Sequence, residues 1–563
     1  MLLVSCSERP RYMELPVEEY RDRMKAAWMG QMAGVGWGLP TEFDYIDRII
    51  PVEEVPPWTP GMINQQGNDD LYVEMTFLSS MERHGTDVSQ RQVGIDFANT
   101  SYGLWAANRN GRENLRAGIA PPASGHPRYN PHCEDIDYQI EADYSGIIAP
   151  GMPGVAIRLG EKFGQLMNYG DGVYAGQFVG GMYAAAYFTG DLDEIIREGL
   201  ACIPLESNYA RVIRDVIAWH REYPADWSLC WERIMEKYYR TLDHQPFHRE
   251  QKEAWVGIDA KLNGAFIVLG LLYGKGDLDS TIIYSMRCGL DSDCNPSNAA
   301  GILATTIGYD RLPEKFKAGL DTVKKFSYTD YDFRDLLRVS EEFTRVFVVR
   351  EGGKIGLDKQ GNEVLYIRPV APVPSEFQPA YDPGDLDPEY RFSATELDLI
   401  LAYSHLDFQS IMAETAPGWQ VFHAGRKSHT GPVEFDGKES VLALAPMSAE
   451  RGVILEYISD LPDVNDEGVG PEAGESGRAV LSFLVNADIG KPWELSLRVN
   501  SPGGRVALNE TIDRSVLQGW RKMVVPFDYA GGHLPRIRIV ANSVPEGEPC
   551  FAYLADLRVD LKE

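Results

Sequence analysis

Two short acidic stretches carry the residue types in this chain that could most clearly do chemistry. The first is Asn68-Asp69-Asp70 and the second is Asp291-Ser292-Asp293-Cys294-Asn295, and each opens a helical pattern. Carboxylate oxygens are the usual ligands of hard divalent cations, so the two stretches would form an oxygen-lined cage if the fold brought them together. The sequence therefore points to a metal-dependent site.

A plainer interpretation is that these carboxylates only cap helices. Acidic side chains at a helix start stabilise the helix dipole and its free N–H groups, and for Asp69 and Asp70 alone that role would be sufficient. The residues around Asp291 and Asp293 are apolar or neutral. Closely packed like charges in such surroundings need a cation to offset their repulsion and desolvation, which favours the metal.

The elements that must position these stretches are helical. Residues 17–330 are dominated by helical periods, and the spacing predicts helices from residue 69, over 258–273, over 281–288 and over 297–307. Residues 99–155 are rich in Pro, Gly, Asn and aromatic residues and are only weakly periodic. They predict a long functional loop where the substrate would bind.

The character of the chain changes after Phe343. Residues 344–368 contain two β-rich runs and predict a hairpin, and residues 369–388 are rich in proline and predict a stiff extended linker. Short alternating runs then recur between residues 441 and 561. Strands of that length and spacing predict an antiparallel β-sandwich, jelly-roll-like in type.

Composition sets the outer limits. A chain of 563 residues is too long for one core and predicts two or three domains. A net charge of -29 and a sequence pI near 4.8 argue against nucleic acid as a partner, because phosphate backbones require clustered Lys and Arg. The seven cysteines show no CxxC spacing, so neither a zinc knuckle nor a dense disulfide framework is indicated.

The N-terminus offers one targeting signal. Leu3-Val4-Ser5-Cys6 resembles a bacterial lipobox, in which the cysteine is lipidated after cleavage. On this interpretation the chain is an exported lipoprotein of the periplasm or outer membrane, held to the membrane only through an N-terminal lipid anchor. A chance tetrapeptide of small residues is the alternative.

Three segments together resemble the ADP-ribosylglycohydrolase family. Residues 30–42, GQMAGVGWGLPTE, are similar to its GxxxGDxxGxxxE motif, Asn68-Asp69-Asp70 to its TDD motif, and residues 289–300, GLDSDCNPSNAA, to its GxDTDTNAxxAG motif. The resemblance covers roughly residues 15–330. It implies an all-α orthogonal bundle that holds two magnesium ions and hydrolyses a bond at an anomeric carbon.

Carried over residue by residue, the resemblance assigns the metal site and part of the catalysis. Glu42 and Asp70 would have catalytic roles, with Glu42 acting on the attacking water, and Mg2+ is the implied cation, with Ca2+ or Mn2+ as alternatives. Val35, Asn68 and Cys294 depart from the family pattern, and a thiol is a poor ligand for a hard cation. The implied metal ligands are Glu42, Asn68, Asp69, Asp70, Asp291 and Asp293.

A third acidic concentration lies within residues 133–146. Glycosidic cleavage needs a proton donor for the leaving group, and Asp137, Glu141 or Asp143 could supply it. A solvated acidic turn is the plainer interpretation. Stacking on a sugar or base is expected from aromatic residues, the candidates being Trp37, Trp58, Tyr102, Trp105 and Trp255.

We therefore expect a metal-dependent glycosidase that acts on a glycan or riboside. The alternatives are hydrolysis of ADP-ribose conjugates on protein or nucleotide, and a non-catalytic sugar-binding protein. The expected domains are a lipoprotein remnant and tether (1–14), the all-α catalytic domain (15–345), the hairpin and Pro-rich linker (346–390) and a β-sandwich that could bind carbohydrate (391–563).

Overall fold

The computed structural model forms two compact units. The first comprises Met1–Gly111 with Pro121–Asp387, and the second comprises Arg112–Ala120 with Pro388–Glu563. The lipobox at residues 3–6 and Trp255 lie outside the described residues. The structure describes residues 12–100, 102–243, 256–386, 388–397, 399–400, 415–423, 432–446, 453–457, 476–501, 504–517, 519–530, 534–535, 537–544 and 550–562.

The chain before Pro388 is mostly helical, as predicted. Many of these helices begin at a side-chain cap, such as Ser207, Asp259 and Asp277, whose oxygens accept from free N–H groups of the first turn. The α-helices are α1 (Val17–Gly38), α2 (Asp69–His84), α3 (Gln90–Ala98), α4 (Ala106–Arg116), α5 (Asp137–Ile140), α6 (Asp143–Ile147), α7 (Pro153–Phe163), α8 (Asp171–Ala186), α9 (Leu192–Leu200), α10 (Asn208–Glu222), α11 (Trp227–Ile234), α12 (Ala260–Gly274), α13 (Leu278–Arg287), α14 (Cys294–Ile307), α15 (Glu314–Lys317) and α16 (Phe333–Arg350).

Shorter turns join these helices. A π-helical segment, Met235–Arg240, follows α11. The 3₁₀ segments are Leu39–Thr41, Val52–Glu54, Pro60–Ile63, Gly164–Leu166, Val256–Ile258 and Tyr309–Arg311. Among the described helices, none combines the length and the apolar character needed to cross a bilayer.

The pairing of α1 with α14 depends on glycine. A Cβ at Gly34 would lie 2.2 Å from the carbonyl oxygen of Pro296, and one at Gly38 would lie 2.0 Å from that of Ser292. Both distances are far below van der Waals contact, so the four-residue glycine spacing on α1 lets the two backbones touch. This contact fixes the acidic turn before α14 beside the C-terminal end of α1.

Part of the predicted loop is helical. Residues 106–116 form α4 inside the 99–155 stretch, and α5 and α6 are two further short helices. No residue directly before α4 supplies a side-chain N-cap that would predict this helix. Its N-terminal N–H groups of Ala107 and Asn108 instead donate to the carboxylate of Asp137, at 3.1 and 2.9 Å. A cap supplied 30 residues later in the chain is invisible to local pattern reading.

The predicted hairpin exists, but its first strand was placed wrongly. The run that begins at Thr344 belongs to α16, because Phe343, Phe347 and Val348 recur at helical spacing and are buried. The strands are β1 (Met13–Pro16), β2 (Lys354–Leu357) and β3 (Glu363–Ile367), and they form an antiparallel sheet in the order β1-β3-β2. Residues 13 and 14, expected in a tether, are part of β1.

The Pro-rich segment after β3 forms neither helix nor strand, as predicted, but it is not a free spacer. Its backbone is held against α8. The hydroxyl of Tyr174 donates to the Glu376 carbonyl at 2.7 Å and accepts from the Gln378 N–H at 2.6 Å, and Gln177 Nε2 donates to Ser375 Oγ at 2.7 Å.

The second unit is an antiparallel sandwich, which confirms the prediction. All eight predicted runs form strands, and β4 and β5 were not predicted. One sheet has the order β10-β9-β12-β7-β4 and the other β11-β8-β13-β6-β5. Inward-facing residues of both sheets, among them Leu455, Phe483 and Trp493, share one core.

Two short helices, α17 (Ala394–Leu397) and α18 (Arg514–Leu517), accompany the sandwich. Its strands are β4 (Trp419–His423), β5 (Pro432–Phe435), β6 (Lys438–Leu444), β7 (Val453–Tyr457), β8 (Gly477–Ala487), β9 (Trp493–Ser501), β10 (Gly504–Ile512), β11 (Arg521–Tyr529), β12 (Ile537–Ser543) and β13 (Ala552–Lys562).

Candidate metal centre

The two acidic stretches meet in the first unit. The thiol of Cys294 donates to Asp70 Oδ1 at 3.2 Å and lies 3.6 Å from Asp293 Oδ1. One potential ligand atom from each of Asp291, Asp293 and Cys294 falls within 4.8 Å of the others. Residues more than 200 positions apart therefore surround one small volume.

Helix α2 places the first pair of carboxylates. Asn68 caps this helix, with its Oδ1 accepting from the Asp70 N–H at 2.9 Å. Asp69 is half-buried and Asp70 is fully buried in the first turn. The structure thus gives Asn68 a capping role, and its assignment as a metal ligand remains a prediction.

A left-handed turn places the second pair. Gly289 and Leu290 have φ values of +77° and +57°, so the chain reverses sharply between α13 and α14. A non-glycine residue in this region is strained and persists only where the surroundings hold it. Leu290 is held by its N–H, which donates to the Tyr45 carbonyl at 3.0 Å, and by its carbonyl, which accepts from the Phe43 N–H at 2.9 Å.

The same hydrogen bonds bring Glu42 to the site. The segment around it is fastened to the acidic turn on both sides, since the Thr41 and Ser292 hydroxyls lie 2.9 Å apart. Glu42 keeps solvent contact, whereas Asp70, Asp291 and Asp293 are buried. We call Glu42, Asp69, Asp70, Asp291 and Asp293 the acidic centre.

Several oxygens of the acidic centre have no protein partner. Asp70 Oδ2 and both carboxylate oxygens of Asp291 are buried and receive no hydrogen bond from the described residues. Asp293 precedes α14 but makes no side-chain cap. Within the described part of the chain, no Lys, Arg or His forms an ion pair with these three residues. Capping therefore does not account for Asp291 or Asp293.

The electrostatics of the acidic centre are those of crowded carboxylates. Burial, and then the charge of Asp293, raises the pKa of Asp69 to about 6. The same two causes, in the same order, raise the pKa of Asp70 and of Asp291 well above the ordinary range. Desolvation and the charges of Asp293 and Asp69 also raise the pKa of Glu42. A bound divalent cation would remove this repulsion, and the unpartnered oxygens are the ligand type that such a cation takes.

Comparison with known proteins agrees with the motifs. The sequence model of the ADP-ribosylglycohydrolase family matches residues 16–350. The chain belongs to the ADP-ribosylglycohydrolase family. No curated protein shows a significant match.

Solved structures of low sequence identity align with parts of the chain. An ADP-ribosylglycohydrolase-related protein complex aligns at 13% identity and a TM-score of 0.35, covering 58% of this chain and 99% of that one. A carbohydrate-binding module of family 28, specific for non-crystalline cellulose, aligns at 15% identity and a TM-score of 0.19, covering 27% and 91%. The N-terminal cellulose-binding domain of β-1,4-glucanase C from Cellulomonas fimi aligns at 14% identity and a TM-score of 0.17, covering 26% and 91%.

The third acidic stretch of this ADP-ribosylglycohydrolase family member is not a solvated turn, because Asp137, Glu141 and Asp143 are all buried. Asp137 caps α4 with both oxygens, which favours a structural role over proton donation. Asp143 accepts from the Tyr183 hydroxyl and from Asn298 Nδ2, the latter at 2.6 Å. It thereby ties α6 to α8 and α14.

Glu141 differs from these two acids. Its Oε1 accepts from Asn108 Nδ2, while its Oε2 is buried without a partner among the described residues. Burial, followed by the charge of Asp137, raises the pKa of Glu141 well above its ordinary range, and Asp69 adds to the effect. Of the three predicted proton donors, Glu141 is thus the one that keeps a free oxygen and feels the acidic centre.

Sequence reading missed Glu74. It lies one turn after Asp70 on α2 and is fully buried. Its Oε1 accepts from Gln31 Nε2 at 2.5 Å and its Oε2 from the Tyr144 N–H at 2.6 Å. The i, i+4 spacing from Asp70 was the signal that could have found it. Glu74 thereby links α1, α2 and α6.

Sequence reading named Tyr102 but missed Tyr72 and Tyr328, which form a tyrosine group with it near α2. The Tyr72 ring lies 4.7 Å from that of Tyr102 and 5.6 Å from that of Tyr328. Tyr328 is 65% exposed and has a φ of +63°. Its turn is tied to the loop before Asn68, since the Ser327 N–H donates to the Gln66 carbonyl at 2.7 Å.

The aromatic residues predicted from the sequence have different settings. Trp37 and Trp58 pack on Phe316, with ring centroids 6.0 and 4.9 Å away, and Tyr102 is buried. Trp105 is 62% exposed. In the group formed by Tyr72, Tyr102 and Tyr328, the exposed ring is that of Tyr328.

Proposed function

We propose that this chain is a metal-dependent glycoside hydrolase that cleaves an N- or O-glycosidic bond of a glycan or riboside. The observation that carries the proposal is the convergence of Asp70 with Asp291 and Asp293, whose buried oxygens lack protein partners. Family membership supports hydrolysis of a glycosyl compound. The acidic centre would hold the cation, with Mg2+ as the ion implied by the family motifs.

A divalent cation, when bound, supplies positive charge that orients substrate oxygens and water. The protein residues do the rest. Asp70, Asp291 and Asp293 are buried, so they are suited to hold the cation. Glu42 is the most exposed carboxylate of the acidic centre, and it is therefore placed to accept the proton of an attacking water at its carboxylate oxygen.

The leaving group needs a proton from another residue. Glu141 is the proposed donor, because its Oε2 is unpartnered and burial raises its pKa, which favours the protonated carboxyl that a donor needs. Since Glu141 is fully buried, donation requires the segment around it to open when the substrate binds. Asp137 and Asp143 are proposed to hold α4 and α6 in place.

A sugar ring needs an apolar surface as well as polar partners. Tyr328 is proposed to offer it, since this exposed ring rests edge-on against Tyr72, whose hydroxyl feels the charge of Asp69. Sugars commonly stack on exposed tyrosine and tryptophan rings beside acids.

The test uses the full chain and a panel of aryl furanosides, aryl pyranosides and ADP-ribosyl conjugates. Each is assayed with a chelator and again after Mg2+ or Mn2+ is restored. We expect turnover of at least one glycoside that chelation abolishes and Asp291→Ala removes. Asp193→Ala changes an exposed aspartate in the first turn of α9 and is the matched control. Activity untouched by chelator and by Asp291→Ala would exclude the metal mechanism.

Hydrolysis of ADP-ribose conjugates is the second candidate, and the family match favours it. It requires binding of adenine and pyrophosphate in addition to the ribose. Isothermal titration with ADP-ribose discriminates the two candidates. Heat of binding at micromolar ligand would favour this candidate, whereas no heat at millimolar ligand would leave the glycan or riboside reaction. A chain that binds sugars but turns over none of the panel would be a sugar-binding protein.

A further inference from the structure

The thiol of Cys294 lies inside the acidic centre. Its Sγ donates to Asp70 Oδ1 at 3.2 Å and stands 3.6 Å from Asp293 Oδ1, and only 6% of the residue is exposed. A thiol has one hydrogen, so it cannot satisfy both carboxylates at once. Cys294 therefore sits where a ligand would sit, between two acids.

Carboxylate oxygens beside Cys294 also lack partners. Both oxygens of Asp291 and the Oδ2 of Asp70 are buried and unpartnered among the described residues. These residues are 1% and 0% exposed. Water therefore does not solvate these carboxylates freely, and a positive charge is what they lack.

The donor atoms also have a suitable spacing. One potential ligand atom from each of Asp291, Asp293 and Cys294 lies within 4.8 Å of the other two. A zinc ion bound tetrahedrally by sulfur at about 2.3 Å and by oxygen at about 2.0–2.2 Å separates its ligand atoms by about 3.3–3.7 Å. The 3.6 Å between Cys294 Sγ and Asp293 Oδ1 already falls in that range. A movement of about 1 Å would bring an Asp291 oxygen onto the same ion.

The type of donor decides which ion is preferred. Mg2+ and Ca2+ take oxygen ligands and gain little from sulfur, whereas Zn2+, Co2+ and Cd2+ bind thiolate and carboxylate together. The resembling family motif has Thr at this position, which offers an oxygen. Replacing that oxygen by the sulfur of Cys294 changes the class of the donor set.

We propose that Cys294 makes one cation position of the acidic centre a mixed carboxylate and thiolate site that selects a thiophilic divalent ion over Mg2+. The thiol loses its proton to solvent when the ion binds. This inference rests on the proposed function, because it assumes that the acidic centre holds metal. It adds which chemical class of ion this chain takes.

The experiment uses the metal-free full chain and titrates it with Co2+. Sulfur bound to Co2+ gives a charge-transfer absorption band in the near ultraviolet, which oxygen ligands do not give. We expect the band in the wild type and in Cys202→Ser, a change in a buried thiol that donates to the Glu198 carbonyl. We expect no band in Cys294→Thr, which restores the family's residue, or in Cys294→Ser.

Affinity is the second readout. Calorimetric titration with Cd2+ and with Mg2+ gives the ratio of the two affinities for each variant. Cys294→Thr should lower the Cd2+ to Mg2+ ratio at least about tenfold, which corresponds to about 1.4 kcal/mol. Cadmium NMR of the wild type checks sulfur ligation without any variant, and it decides the question if the Cys294 variants do not fold.

The outcomes separate the two claims. Calorimetric binding of Co2+ without the band, or a band that persists in Cys294→Thr, overturns the thiolate ligand and leaves the metal centre intact. A ratio of Cd2+ to Mg2+ affinity that is unchanged in Cys294→Thr also overturns the thiolate ligand and leaves the metal centre intact. If Co2+, Cd2+ and Mg2+ all fail to bind the wild type, this inference and the metal-dependent function fail together.

Discussion

The thiol of Cys294 lies 3.2 Å from Oδ1 of Asp70, although 224 positions of sequence separate the two residues. Two features of the fold produce this contact. The glycines of α1 let α14 approach closely, and the strained Leu290 turn aims the residues before α14 toward the start of α2. The chemistry of the site therefore depends on backbone contacts outside the acidic centre.

Neutralising one buried carboxylate should stabilise the metal-free protein. Asp291→Asn keeps the shape of the side chain and removes a charge that burial and Asp293 disfavour. We expect the free energy of unfolding in chelator to rise by about 1–3 kcal/mol, the magnitude typical of an uncompensated buried polar group. The stabilisation that wild type gains from a divalent cation should disappear. Denaturant melts with and without cation measure both effects, and a destabilised, still cation-responsive variant would contradict them.

The stability of the metal-free protein should fall as pH rises. The pKa of Asp69 is raised to about 6 and that of Asp143 to about 7, mainly by burial, above an ordinary value of 3.8. The folded state therefore binds more protons than the unfolded chain between about pH 4 and about pH 7, and stability declines through that window. Melting temperatures across this range in chelator should fall. A saturating divalent cation should reduce the decline. Identical slopes of melting temperature against pH, with and without cation, would argue against repulsion at the acidic centre.

The close contact of α1 with α14 should not tolerate a methyl group. Gly34→Ala would place a Cβ 2.2 Å from the Pro296 carbonyl oxygen, so the helices must separate. We expect a loss of about 1–3 kcal/mol in stability, as for overpacked cores, together with weaker cation binding. Gly190→Ala is the control, since nothing lies within 4 Å of its added Cβ. Equal effects of the two changes would refute this role of the glycine spacing.

Much of this arrangement could be predicted from the sequence, and the gaps have physical causes. Asp70, Asp291 and Asp293 stand in short motifs that resemble those of the family, and it was this resemblance that implied a shared site. The sandwich strands were readable because inward and outward residues alternate. The helix α4 was not, since its cap is the distant Asp137.

Other features were hidden by side-chain and backbone contacts that only folding creates. The run after Phe343 is rich in β-branched residues, yet burial at helical spacing and the Asp332 cap extend α16 through it. The placement of Cys294 between two carboxylates depends on the turn at Leu290. The exposure of Tyr328 follows from a loop that has no regular pattern.

The leaving group should reveal the role of Glu141. If Glu141 donates the proton, Glu141→Gln lowers kcat by about 100-fold or more for substrates with poor leaving groups. Activated aryl glycosides, which need little protonation, should be nearly unaffected. Asp137→Asn is the comparison. Loss of the Asp137 carboxylate should weaken the α4 cap and lower stability, and its effect on activity should not depend on the leaving group. Equal losses for all leaving groups would assign Glu141 a structural role.

Removing the exposed ring at Tyr328 should weaken substrate binding. Tyr328→Ala should raise KM roughly threefold to tenfold, corresponding to the ~0.5–1.5 kcal/mol of an aromatic contact, with kcat little changed. Tyr328→Phe keeps the ring and should behave like the wild type. Steady-state kinetics on the best glycoside of the panel measure the split. An unchanged KM in Tyr328→Ala would remove this surface from the binding site.

The central claim is that carboxylates from two distant stretches jointly bind one cation centre. Crystals of the full chain grown with Mn2+, with diffraction recorded for anomalous scattering, test it most directly. We predict an anomalous peak within bonding distance of carboxylate oxygens from both Asp70 and the Asp291 to Asp293 turn. A well-ordered acidic centre with no peak, or with Mn2+ bound only elsewhere, would contradict the claim.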